Sequence, residues 1–182
     1  MKRVVIPLAP GFEEIEAITV IDILRRAGVE VVTAGTDETP IPGRCGIRVV
    51  PDCSLDQVRA EDFDMVVLPG GMGGTEHLKK DGRVLSLVRG MQRDDKYTSA
   101  ICAAPAVLSA VGIIDGRRIT SHPTVKASLT EAIYVEERVV VDGRLVTSRA
   151  PGTAMEFAYT LVELLVGKEK VHEVNEGVMA KI

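Results

Sequence analysis

The sequence predicts an α/β fold built on a mainly parallel sheet, and three observations carry that expectation. Hydrophobic residues make up 46% of the 182 residues and aromatics only 3%, so the core must be assembled from Val, Ile, Leu and Ala, the residues that fill buried parallel strands and their covering helices. Residues 3–34 run from an aliphatic stretch through a helical pattern to a second aliphatic stretch. That order describes a βαβ unit, whose strands lie parallel because a helix carries the chain back across the sheet. Two further aliphatic runs, at 65–68 and 97–102, each lead into small residues and a helical pattern, which repeats the same unit. A chain of this length fits one domain over residues 1–182.

Taken in order, residues 3–9 (RVVIPLA) read as a strand, 13–27 as a helix ended by Gly28, and 29–34 as a strand closed by Gly35. The stretch 36–55 holds Pro40, Pro42, Gly43, Gly46 and Pro51 around a short β pattern, which predicts a β-hairpin excursion from the sheet. Residues 65–68 (MVVL) form a buried strand running into Pro69-Gly70-Gly71, and helical patterns follow at 75–80 and 82–93. YTSAIC (97–102) is a strand and AAPAVLSAV (103–111) a helix; a β-like segment, RRITSH, ends at His122. Residues 137–148 place two β runs around Asp142-Gly143, the strongest short hairpin signal. A helix over 153–166 and a mixed, helical tail from Gly167 complete the chain.

A net charge of −4 gives no broad positive field for phosphates, and three Phe, three Tyr and no Trp leave few surfaces for base stacking. Direct nucleic-acid binding is therefore not expected. Pro7, Pro10 and the Glu13-Glu14 pair interrupt the first aliphatic run before a secretory h-region is complete. No apolar run approaches the ~20 residues that span a bilayer, so no membrane partner is expected. Cys45, Cys53 and Cys102 are odd in number and form no CxxC pair, which argues against a disulfide framework or zinc knuckle and for a reducing cytoplasm. Scattered histidines give no metal-ligand spacing, and no metal is assigned.

Cys102 ends a strand and precedes a helix of small residues, the setting that lifts a nucleophile above the carboxyl edge of a sheet. A cysteine among alanines is ordinarily a small buried hydrophobe; its place at the strand end favours the functional reading. Helix N–H groups there should lower the thiol below its usual ~8.5. Glu16 shares a helical row with Val20, Ile23 and Ala27, so its carboxyl points toward the sheet, and burial should raise its pKa. Glu13 also falls on an apolar row, through Ala17, Val20 and Leu24, while Glu14 reads as a solvated complement to the helix dipole. Gly70 and Gly71 let backbone amides approach a ligand, as an oxyanion hole requires, or form a simple turn. Neither a P-loop nor a dinucleotide fingerprint is present. His122, before Pro123, sits where an imidazole can reach the sheet edge or can cap a surface turn. On the far face of the first helix, Ile15 and Ile18 need a second protein surface to cover them.

These residues occur within blocks that resemble the ThiJ/PfpI superfamily, most closely the branch of the Parkinsonism-associated deglycase and its bacterial relatives. The blocks are GFEEIE (11–16), ILRRAG (23–28), VLPGG (67–71), AICAAP (100–105), SHP (121–123), TSRAPGT (147–153) and GKE (167–169), in order along nearly the whole chain. The resemblance implies a flavodoxin-like three-layer sandwich and a homodimer through the first helix. It also implies Cys102 as an oxidisable nucleophile, Glu16 as its protonated partner, and the Gly70, Gly71 and Ala103 amides beside them with His122 nearby. The implied activity is glyoxalase- or deglycase-type removal of dicarbonyls such as methylglyoxal and glyoxal, or of their adducts with amines, without metal or organic cofactor. An alternative is a redox-sensing or chaperone-like stress protein acting through Cys102 oxidation. Two departures matter. Ala103 follows Cys102 where the protease-like branch has a histidine, which argues against a peptidase. The segment Arg44-Cys45-Gly46 reverses the branch's cysteine-before-arginine order, so Cys45 carries no role over from the family. Cys53 has none either.

Overall fold

A computed structural model describes residues 1–37 and 39–180. The opening unit is β1 (Arg3–Leu8), α1 (Glu14–Arg26) and β2 (Glu30–Gly35), with the strands in parallel register from Arg3 opposite Glu30 to Leu8 opposite Gly35. The excursion is a short antiparallel hairpin, β3 (Ile41–Pro42) with β4 (Arg48–Val49), outside the main sheet. Backbone bonds from Gly11 to Pro42 and from Arg44 to Phe12, 2.8 and 2.9 Å, fasten it beside the loop that enters α1. The chain then returns through β5 (Cys53–Ser54), which pairs in parallel with β2.

Next come β6 (Met65–Leu68), α2 (Met72–Lys80), α3 (Gly82–Arg93), β7 (Tyr97–Ile101) and α4 (Pro105–Ala110). Two short strands, β8 (Arg118–Ile119) and β9 (Ile133–Tyr134), pair in parallel outside the main sheet. The hairpin around Asp142-Gly143 is β10 (Val139–Asp142) and β11 (Leu145–Ser148); α5 (Ala154–Val166) and α6 (Lys168–Val178) finish the fold. The last two residues of the helical tail lie outside the described residues.

Seven strands make one sheet in the order β10-β11-β7-β6-β1-β2-β5, and only β10 runs antiparallel to its neighbour. Side chains of α1, α5 and α6 close one face around Ile6, Leu8, Val67 and Ile101, and those of α2, α3 and α4 close the other around Val5, Val66, Leu68 and Ala100. This is the α/β three-layer sandwich of the flavodoxin-like class. Strands buried on both faces explain why 65–68 reads as an unbroken aliphatic run instead of alternating. Two helices depart from the sequence expectation by two or more residues at an end. α2 starts at Met72, three residues early, and α4 is confined to Pro105–Ala110, because the backbone around Cys102 turns sharply before Pro105 can open a helix.

Candidate active site

The sheet sets the place of the site. From β1 the chain moves to β2 on one side, while β6, β7 and β11 build out on the other. Strand order thus reverses between β1 and β6, and the crevice outside their carboxyl ends is where an open α/β sheet leaves room for a ligand. Three connections meet there: Pro10–Glu13 after β1, Gly70–Gly71 after β6, and Cys102–Ala104 after β7.

Cys102 occupies the first position after β7 with φ +65°. An L residue adopts this left-handed conformation at a cost of roughly 1–2 kcal/mol. Backbone bonds pin it there: its N–H donates to Ser148 and its carbonyl accepts from His122, at 3.0 and 2.8 Å. Glu16 descends from the first turn of α1 and is fully buried. Its Oε2 accepts the Gly70 amide at 2.8 Å, and no N–H or hydroxyl donor reaches its buried Oε1. Gly70 is glycine for a steric reason. A Cβ there would lie 2.6 Å from Glu16 Oε2 and 2.7 Å from Cys102 Cβ. The Gly70 amide is therefore committed to Glu16, and the amides facing the Cys102 sulfur are those of Gly71 and Ala103.

Burial pushes the Glu16 carboxyl up to about 7, against the pull of the Cys102 thiol and the Gly70 amide. Burial, followed by the charge and hydrogen bonding of Glu16, pushes the Cys102 thiol up to about 12, while the Gly71 and Ala103 amides draw it down. The direction is opposite to the sequence expectation. The thiol lies half-buried beside a carboxylate, and α4 begins three residues beyond it with Pro105, so the helix contributes no direct N–H. Above neutrality the pair holds one proton between them. A thiolate is reached by passing that proton to Glu16, which leaves a carboxylic acid beside it.

A cleft of about 360 Å³ opens over the sulfur, lined by Cys102, Gly71, His122, Thr124, Glu13 and Arg44 among others. His122 Nδ1 takes the Thr124 hydroxyl at 2.8 Å and accepts the Thr124 amide at 3.3 Å, which places its proton on Nε2.

A family model described as "DJ-1/PfpI family" matches residues 2–164. The chain belongs to the DJ-1/PfpI family. It is 44% identical to protein dj-1beta of Drosophila melanogaster over 182 residues, covering 98% of this chain and 97% of that one, and the crystal structure of DJ-1beta superposes with a TM-score of 0.94. It is 40% identical over 162 residues to a Caenorhabditis elegans protein named glutathione-independent glyoxalase DJR-1.2, covering 88% of this chain and 86% of that one. A structure described as Toxoplasma gondii DJ-1, oxidized, superposes with a TM-score of 0.92 at 33% identity, covering 98% of each chain.

In this DJ-1/PfpI chain the fold brings Cys102, Glu16, Gly70, Gly71, Ala103 and His122 to one crevice. Three further residues, Glu13, Glu14 and Thr124, make contacts that sequence reasoning did not assign. Glu13 and Glu14 are both buried; Glu13 pairs with Arg44 at 3.1 Å on the cleft wall, and Glu14 accepts the amides of Cys45 and Ile47 instead of facing solvent. Thr124 fixes the His122 ring. The apolar row through Glu13 was the one signal for this wall. Ile15 and Ile18 lie outside the crevice, 56% and 41% exposed on the outer face of α1. Among the described residues no helix is long and apolar enough to cross a membrane.

Proposed function

We propose that this chain is a cysteine-dependent enzyme that converts small dicarbonyls such as methylglyoxal and glyoxal, or their early adducts with amines, to hydroxy acids. The observation that carries this reading is a fully buried Glu16, raised to about 7, coupled to a Cys102 held at φ +65° above the sheet edge. In the proposed sequence Glu16 takes the thiol proton and the Cys102 sulfur attacks the aldehyde carbon, forming a C–S bond. The Gly71 and Ala103 amides receive the oxyanion. Glu16 returns the thiol proton to that oxyanion and, a carboxylate again, takes the proton of the former aldehyde carbon and delivers it to the neighbouring carbon through an enediol whose hydroxyl proton passes between the two oxygens, leaving a thioester of the hydroxy acid. Water cleaves the thioester, with His122 Nε2 near enough to the cleft to assist, and the free thiol returns. One carbon is oxidised and the adjacent one reduced, so the reaction needs no external electron acceptor. The name of the C. elegans relative supports the same class of substrate.

The test is glutathione-free conversion of methylglyoxal to lactate by purified protein. Cys102→Ser should abolish turnover, and Glu16→Gln should lower it by roughly two orders of magnitude, the usual worth of a positioned acid–base group. Wild-type rates in either variant would remove the mechanism.

A second reading, a redox sensor acting through Cys102 oxidation, is favoured by the buried Glu16 Oε1, which no N–H or hydroxyl donor reaches. Once protonated, Oε1 can donate to an oxygen on the sulfur. The oxidized T. gondii relative is consistent with it. Absence of dicarbonyl turnover together with selective sulfinate formation at Cys102 would favour this reading. We further propose that a second copy of the chain covers Ile15 and Ile18 to form a homodimer, and that the protein works in a reducing cytoplasm, where its three free cysteines would persist as thiols.

A further inference from the structure

Beside the Cys102 cleft the fold assembles three side chains that no sequence spacing connects. The tip of the β3–β4 hairpin folds back on the start of α1, and one donor atom from each of Glu13, Glu14 and Cys45 lies within 4.8 Å of the others. The two glutamates are 4% and 5% exposed, whereas Cys45 is open to solvent. Glu14 accepts the backbone N–H groups of Cys45 and Ile47 at 2.8 and 3.3 Å. Its Oε1 takes both amides, and no N–H or hydroxyl donor reaches its buried Oε2. Arg44 pairs with Glu13, and no basic side chain among the described residues pairs with Glu14. A buried carboxylate oxygen without an N–H or hydroxyl donor is costly, and a cation bound beside it would offset that cost.

We propose that Glu13, Glu14 and Cys45 form a binding site for a divalent d-block cation of the zinc class. One thiolate with two carboxylates suits that ion. Magnesium and calcium favour all-oxygen shells, while copper(I) favours more sulfur. Zinc bonds of about 2.0–2.3 Å would draw the donors together by roughly 1 Å, a movement that the exposed Cys45 side chain can make by rotation. Glu13 can keep Oε2 on Arg44 and offer Oε1, and water fills the fourth position. On binding, the Cys45 thiol releases its proton to solvent as the zinc–sulfur bond forms. Because Glu13 and Arg44 line the cleft over Cys102, the bound ion would stiffen one wall of the candidate active site.

The test is titration of dialysed protein with Zn²⁺ against a chromogenic chelator, using Cys102→Ala as the starting protein so that the other thiol–carboxylate pair cannot supply the site. That protein should bind one Zn²⁺ per chain. Adding Cys45→Ala, at an exposed position that folding does not depend on, should weaken binding by roughly tenfold or more, as loss of a thiolate ligand requires. Glu14→Gln should do the same if it folds, and the Cys45 variant decides if it does not. Stoichiometric binding unchanged by Cys45→Ala, or no binding above background in the Cys102→Ala protein, would overturn the site.

Discussion

At the scale of single residues, Glu16 gives the sharpest expectation, because its pKa moves from 4.5 to about 7 through burial. In the folded state the carboxyl keeps its proton where the unfolded chain has released it. The resulting stabilisation is complete below the unfolded value and is lost as pH rises through about 7, a change of roughly 3 kcal/mol at most. Glu16→Gln has no such proton to lose. Urea denaturation should therefore show the variant gaining stability relative to wild type between about pH 5 and about pH 8; a constant difference would mean that burial is not what holds the proton. Gly70 provides a second expectation. A methyl group 2.6 Å from Glu16 Oε2 and 2.7 Å from Cys102 Cβ must displace one or both, so Gly70→Ala should cut dicarbonyl turnover by roughly a hundredfold, since an error of ~1 Å in a catalytic group costs about that much. Crystal structures of the variant should show the displaced pair. Full activity with an unmoved Glu16 would contradict this.

At the scale of elements, α1 has two faces with different tasks. Ala17, Val20, Ile23 and Leu24 are buried within the fold, while Ile15 and Ile18 face outward; Ile47 of the excursion, whose amide reaches Glu14 at 3.3 Å, adds another exposed aliphatic side chain nearby. Covering each such side chain contributes roughly 1.5–3 kcal/mol. Asp22 and Arg26 pair with each other at 2.8 Å on this helix, but Arg25 turns back to Asp52 and the Val31 carbonyl. Arg25 is thus tied within its own chain. If two copies meet through this face, Ile18→Asp places two carboxylates in one buried patch across the two-fold axis. Sedimentation should then find wild type dimeric and the variant monomeric at micromolar concentration, with slower turnover because α1 also carries Glu16. A monomeric wild type would refute the interface.

At the scale of the whole molecule, one sheet separates two aliphatic cores, and the same strands supply side chains to each. Neither layer of helices can leave without exposing strands that the other still covers. Unfolding should therefore be a single cooperative transition. Ile6→Ala and Leu68→Ala, on opposite faces and both fully buried, should each lower that one transition by about 2–5 kcal/mol. Denaturation followed by far-ultraviolet circular dichroism and by Cys102 accessibility should give coincident curves for wild type and both variants. Separate curves would divide the chain into independently folding parts.

The parallel strands, the hairpin at Asp142-Gly143, the strand-end position of Cys102 and the inward row of Glu16 were all legible in the sequence, because each depends on periodicity or turn chemistry within a few residues. The start of α2 and the short α4 were less so, since their boundaries follow the packing of loops around Cys102. Of the cleft wall, only the apolar row through Glu13 was legible. Glu13 meets Arg44, and Glu14 meets Cys45, across 31 residues of chain, and those meetings exist only once the excursion folds back on α1. The same holds for the Cys102 thiol. Its sequence neighbours suggest a lowered pKa, but burial and the charge of Glu16, two quantities set by tertiary packing, raise it instead. Sequence determined which residues could react; the three-dimensional fold determined which charges they face, because electrostatic energies depend on distance and burial in space and not on separation along the chain.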